Sequence, residues 1–351
     1  MARSAHLSPR ALARYAGSSA VQAMLLAVLQ AVVLTLAFVV SILLAAWIDI
    51  PTWLPPLLLA LAPLFFGATL REHARRTLIA DFRGQQLLGV DLPIGVVQLV
   101  ALLVLWRAEQ LTFAVALWTV AAASSLSVIW FWWESFRLSV RWKLVKAHFA
   151  SNLKFGSWLL GIAVAWLVCD LILRTVLAWF HGIEAVGTFA SAYLIVSLIN
   201  PIVVAATSFS QSLAARVYAA SGYAGLWQFS FRGTVAAGLL ALLASGLLAT
   251  FGEPIVLAIF GKPYANQLVV GAVSLGFCLQ AVSIPVEASQ LALEQGRRLF
   301  AVSILRVALV LSAGVPLVWW LGAAGIGWTI ALQSVVVLVV HWFFFSSAIR
   351  E

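Results

Sequence analysis

The chain has 351 residues, a mean hydropathy of +1.06 and only 9% charged side chains. A soluble domain carries roughly 25%, so there are too few charged groups here to cover a water-facing surface. The formal charge of +9 would suggest nucleic acid in a soluble protein, but apolar runs of membrane-spanning length recur from end to end and assign it to membrane orientation instead.

The N-terminus, MARSAHLSPRALAR, is basic and leads into an apolar stretch from Ser18 to about Trp47. A cleaved signal peptide has an apolar core of roughly 7–15 residues, so this stretch reads as a retained helix. Spans of the length a bilayer requires then follow in order. They fall at about 18–48, 51–70, 87–106, 111–133, 157–179, 186–208, 232–251, 266–291, 300–320 and 323–346. The fold class is an all-α polytopic membrane protein of about ten transmembrane helices; the alternating segments of about ten residues that mark a β-barrel are not seen. Pro51, Gly84, Pro93, Gly182, Gly222, Pro254, Pro263 and Gly296 fall at or near the junctions, where helix breakers belong. Trp47, Trp53, Trp106, Trp133, Trp179, Trp320 and Trp342 lie near span ends, at headgroup level. The longest connections, around 134–156 and 209–231, read as loops too short for a further domain.

The basic residues segregate. Of 21, the connections on one side hold 18, including Arg71, Arg75, Arg76, Arg83, Arg297, Arg298 and Arg306. Only Arg107, Arg174 and Lys262 fall on the other. The positive-inside rule then places both termini in the cytoplasm, with Arg75, Arg76, Arg83, Arg297 and Arg298 as cytoplasmic anchors. ARRTLIADFR (74–83) follows the second span and GRRLFAVSILR (296–306) follows the eighth. Matching arginine pairs six helices apart suggest a duplicated six-helix unit, a common way to build a transporter.

The segments SNLKFGSWLLGIAVAWLVCDLILRTVLAWFHGIEAVGTFASAY (151–193), NPIVVAATSFSQSLAARVYAASG (200–222), GEPIVLAIFGKPYA (252–265) and GRRLF (296–300) resemble the second half of a Wzx-type polysaccharide flippase. That family belongs to the superfamily of the MATE exporters and lipid II flippases (MATE/MOP). Upstream, LREHARRTLIADFRGQQLLGVDL is similar to the family's loop between its fourth and fifth helices. The resemblance implies two pseudo-repeated lobes around a central cavity. Residues 1–150 would form the N-terminal lobe of about four helices plus a cytoplasmic loop, and 151–351 a C-terminal lobe of about six. The family has twelve or more helices, so the first lobe is expected to be incomplete, lacking its first two.

No enzyme signature is found. FGKP at 260–263 lacks the glycine spacing and Ser/Thr of a phosphate-binding loop. The histidines stand at no metal-ligand spacing, Cys169 and Cys278 fall inside spans, and neither a metal nor a cofactor is implied. Ionisable groups inside spans are therefore the site candidates, because charge at the bilayer centre is costly. Asp170 and Arg174 share a face at i, i+4. They are either a cavity cation with its tuner or a snorkelling arginine with its neutraliser. Glu287 gates or titrates in the cavity, or pairs with a loop arginine. Arg306 lies one or two turns inside the ninth span or at its cytoplasmic end. His341 is expected at the membrane interface. Gln22, Gln30, Gln98, Gln280 and Gln333 either bond across helices or line the path.

What the resemblance implies is a carrier that moves undecaprenyl-diphosphate-linked oligosaccharide across a bacterial inner membrane, with Arg174, Asp170, Arg306 and Glu287 in its substrate site. A diphosphate calls for arginine or lysine. Its partners would be the lipid-linked oligosaccharide, the bilayer, and the polysaccharide polymerase and glycosyltransferases. Two alternatives are an exporter of small cations of the MATE type and a non-transporting scaffold for polysaccharide synthesis.

Overall fold

The computed structural model describes residues 9–45, 49, 51, 53–80, 83–135, 142–261 and 266–350. Among them there is no strand, and the chain is helical almost throughout. The helices are α1 (Pro9–Leu44), α2 (Leu54–Ala80), α3 (Gly84–Arg107), α4 (Phe113–Ser135), α5 (Trp142–Ser197) and α6 (Asn200–Phe260). They continue with α7 (Gln267–Ala281), α8 (Ile284–Ala292), α9 (Gly296–Leu309), α10 (Val315–Leu321) and α11 (Ala323–Arg350), a π turn at Val310–Gly314 linking α9 to α10.

Eight stretches are long and apolar enough to cross a membrane, and α4 carries a shorter apolar segment at Phe113–Ile129. Two of the eight, Asn152–Ser197 and Asn200–Ile259, run to 46 and 60 residues. At 1.5 Å per residue each is about twice the ~30 Å bilayer core or more. Each is broken by one glycine with positive φ: Gly182 (φ 79°) in α5 and Gly222 (φ 60°) in α6, a region that favours glycine because it has no Cβ. The chain folds back at both. Arg174 lies 5.8 Å from the Phe189 ring, though fifteen residues of straight helix would separate them by about 22 Å. Across the other turn, a Cβ on Gly225 would sit 3.2 Å from Val217 Cγ1.

The stretch from Gly182 to Gly222 is one passage with a tightened turn at its middle. Pro201 has no N–H to donate, and Leu198 and Ile199 donate instead to Ile195 and Val196, three residues back. Pro285 marks a second interruption, at Val282–Ser283, which separates α7 from α8 within one passage. With those divisions the described residues make ten passages. Connection 209–231, read as a loop from its polarity, is helix on both sides of Gly222. Gly161 does not bend its helix; a Cβ there would meet the Phe300 ring at 2.6 Å, so it is a packing glycine.

The chain divides into two compact units, one within residues 6–151 and one from Asn152 to the C-terminal end. In the N-terminal unit α2 lies against α4. Gly67 makes this possible, since a Cβ there would stand 2.9 Å from the Ser124 carbonyl, and Ser127 Oγ donates to Gly67 O at 3.0 Å. Gln22 and Gln30 bond across helices, Gln22 donating to Val145 O and Gln30 accepting from Thr69. In the C-terminal unit α7 and α11 meet backbone to backbone. A Cβ on Gly327 would lie 2.3 Å from the Ala272 carbonyl carbon, and one on Gly276 would lie 2.6 Å from Gly327 O. Close approach over small residues is the usual way helices associate where lipid offers no hydrophobic gain.

Candidate functional site

The four ionisable candidates all belong to the C-terminal unit, where they form two separate groups. Asp170 and Arg174 face each other one turn apart on α5, Arg174 Nε donating to Asp170 Oδ1 at 3.0 Å. Both side chains are about half exposed, 51% and 45%. Beyond Gly182 the returning part of α5 brings Phe189 and Tyr193 to Arg174, each ring centroid 5.8 Å from its guanidinium carbon. Tyr193 in turn packs on Phe277 of α7. Arg174 is therefore an accessible cation held by a carboxylate on one side and an aromatic wall on the other.

Glu287 and Arg306 form the second group, inside the unit. Arg306 Nη2 donates to Glu287 Oε1 at 3.1 Å, and the guanidinium carbon lies 4.3 Å from the centroid of the Trp166 ring on α5. Only 8% of the Arg306 side chain is exposed. The pairing of Glu287 with an arginine was legible in sequence, but the partner is this intramembrane one and not a loop arginine. The same oxygen accepts from Ser283 Oγ at 2.6 Å and faces His341 Nε2 at 3.2 Å.

His341 is the clearest departure from the sequence reading. Expected at the membrane interface, it is buried inside the unit at 2% exposure. Its Nδ1 meets Gln290 Oε1 at 2.7 Å, while Gln290 Nε2 donates to the His341 carbonyl at 3.1 Å. Gln290 was missed altogether. Its signal was present: it follows Glu287 by three residues on α8, so both side chains share a face. His341 likewise stands four residues from both Val337 and Phe345, buried on the same stripe of α11. Cys169 and Cys278 are buried thiols without a disulfide. No cluster of three His, Cys, Asp or Glu suited to a metal occurs among the described residues.

The basic anchors turn out to be largely engaged in bonds. Arg71 Nη2 lies 2.8 Å from Asp91 Oδ1 and Arg75 Nε 2.9 Å from Asp91 Oδ2, which ties the end of α2 to the start of α3. Arg76 and Arg75 also reach Glu72, at 2.8 and 3.3 Å. Arg83 is exposed at the α2–α3 junction. Arg298 donates to Phe344 O and Ser347 Oγ on α11, and its neighbour Arg297 is exposed. The arginine pairs of the echo do not fall on equivalent positions. Arg75 and Arg76 close α2, whereas Arg297 and Arg298 open α9.

The chain superposes on solved transporters over almost its full length. A point mutant of a MATE protein aligns with a TM-score of 0.77, covering 97% of this chain and 79% of that one at 13% identity. A point mutant of the Vibrio cholerae MATE transporter VcmN gives 0.74, with 96% and 83% covered at 14% identity. An outward-facing multidrug resistance MATE family transporter of the MOP superfamily gives 0.75, with 95% and 78% covered at 13% identity.

The fold is that of the MATE transporters.

At such identity the likeness concerns the fold alone, and no family model and no curated protein matches the sequence. The MATE fold and the apolar passages together make this a multi-pass membrane protein of a transporter architecture. Within that fold the C-terminal unit presents an accessible cation at Arg174 and a partly buried acid at Glu287 paired with the buried Arg306.

Proposed function

We propose that the protein translocates a lipid-linked oligosaccharide carried on undecaprenyl diphosphate, from the cytoplasmic to the outer leaflet of a bacterial inner membrane, with both termini in the cytoplasm. The observation that carries the reading is the state of the intramembrane acids. Among the described residues Asp91, Asp170 and Glu287 each lie within 4 Å of an arginine nitrogen. A carrier of small organic cations needs a carboxylate free to meet its cargo, and these three carboxylates already have a cation, whereas Glu253 near the end of α6 accepts from the Gln267 N–H. The accessible member of these pairs that best fits a diphosphate is Arg174. Its guanidinium can exchange Asp170 for phosphate oxygens, with two parallel N–H donors available to the incoming anion. Phe189 and Tyr193 would keep it in place during that exchange.

The MATE likeness is consistent with a second reading, export of small cationic compounds, and a scaffold for the polymerase and glycosyltransferases is a third. Expression in a strain lacking its polysaccharide flippase separates them. Restored surface polymer, lost again in Arg174→Ala, is the expected result. A well-inserted chain that restores no polymer overturns the proposal, and one that instead raises resistance to cationic drugs supports the second reading. Orientation is tested by Ser221→Cys: an impermeant maleimide should label it in inverted vesicles and not in intact cells.

A further inference from the structure

A half-exposed arginine inside a bilayer meets one anion more often than any cargo, the phosphate of ordinary phospholipid. Arg174 is so placed. Eight residues of helix separate it from the turn at Gly182, about 12 Å of rise. Trp179 between them is 84% exposed, as an aromatic ring at headgroup level would be. A guanidinium on a flexible stem spans much of that distance by snorkelling. Among the described residues its one hydrogen bond runs from Nε to Asp170 Oδ1 at 3.0 Å. The two terminal nitrogens of the guanidinium therefore keep donors to offer. Meanwhile the stacked rings of Phe189 and Tyr193, 26° apart, hold it from the returning part of α5.

We propose, on the cargo reading above, that Asp170 determines the specificity of this site: it is an internal anion that keeps phosphodiester headgroups off Arg174 and yields to a diphosphate. The phosphodiester of a phospholipid carries a single negative charge, no more than the carboxylate it would have to displace. Asp170 is tethered one turn away on the same helix, so it rebinds whenever a competitor of equal charge leaves. While it stays, its own charge repels the newcomer. A diphosphate joining a lipid to a sugar carries two negative charges over two phosphoryl groups. One group can take a pair of parallel N–H donors, and the second charge remains within reach of the same cation. Exchange with Asp170 is therefore favourable for a diphosphate and unfavourable for the lipids around it. Without the Asp170 charge, Arg174 is left to the bilayer, and the cargo meets an occupied site.

Native mass spectrometry of the full chain in dodecyl maltoside, a phosphate-free detergent, tests this with two probes, phosphatidylglycerol and undecaprenyl diphosphate. Asp170→Asn is expected to raise phosphatidylglycerol binding about fivefold, the factor that an exposed ion pair can hold. That gain should vanish when Arg174→Gln is added. Asp170→Glu keeps an anion on the same turn and should bind no more phosphatidylglycerol than the native chain. The preference for diphosphate over phosphatidylglycerol should fall in Asp170→Asn alone. Unchanged phosphatidylglycerol binding in Asp170→Asn overturns the proposal, and so does a gain that survives Arg174→Gln. The expected result is a gain of binding, which a misfolded variant does not imitate. Failure of the cargo reading looks different: the native chain would bind neither probe while Asp170→Asn still gained phosphatidylglycerol, which upholds the internal anion and overturns the diphosphate cargo.

Discussion

The α2–α3 joint of the N-terminal unit and the α8–α9 joint of the C-terminal unit are closed by the same device with its polarity reversed. Arg75 stands five residues before the end of α2 and meets Asp91 on α3. Glu287 stands five residues before the end of α8 and meets Arg306 on α9. The first pair is about one quarter exposed on both sides and carries two arginines on one aspartate. The second buries its arginine almost completely and adds a histidine. An ion pair across a helical joint is thus kept while its sign, depth and partners differ, so what the two units share is position rather than chemistry.

The comparison breaks most sharply at Arg306. Arg306→Ala removes a buried guanidinium and leaves the partly buried Glu287 carboxylate without its main cation, and is expected to lower stability by about 3 kcal/mol, read from denaturant titration in micelles. If Asp91→Ala costs as much, depth is not what separates the two joints; the expected loss there is about 1–2 kcal/mol, because water reaches the orphaned arginines.

Exchanging the residues sharpens the point. The double variant Glu287→Arg with Arg306→Glu conserves the pair yet should remain destabilised by about 2 kcal/mol, because Ser283 Oγ donates to the carboxylate at position 287 and a guanidinium there cannot accept. Recovery of native stability would show that polarity is immaterial there. Arg298→Gln removes bonds to α11 and is expected to cost about 1 kcal/mol, whereas Arg297→Gln should be neutral in the same titration. The smallest effect falls on Asp170→Asn. An exposed pair contributes about 0–1 kcal/mol, so stability should hardly move while polymer production falls.

Much of the fold was legible because membrane constraints act locally. Length and apolarity mark each passage, and Gly182 and Gly222 mark turns. The site was legible only in part. Asp170 and Arg174 lie one turn apart on one helix, so spacing alone reveals their pairing. Glu287, Arg306 and His341 come from three helices whose facing sides no periodicity reports, and burial of His341 follows from helix packing that its position near a span end conceals. The sequence echo misled in register for a related reason: an arginine pair marks the cytoplasmic end of a helix without stating whether that helix is ending or beginning.

The turns at Gly182 and Gly222 have a practical consequence. Each consists of a single non-helical residue between two helices, with no slack to present to a protease or to receive an inserted tag. Limited proteolysis should leave both junctions intact, and a tag placed at either would have to unwind helix on both sides before it could be displayed. Reporter fusions meant to map this chain therefore belong elsewhere.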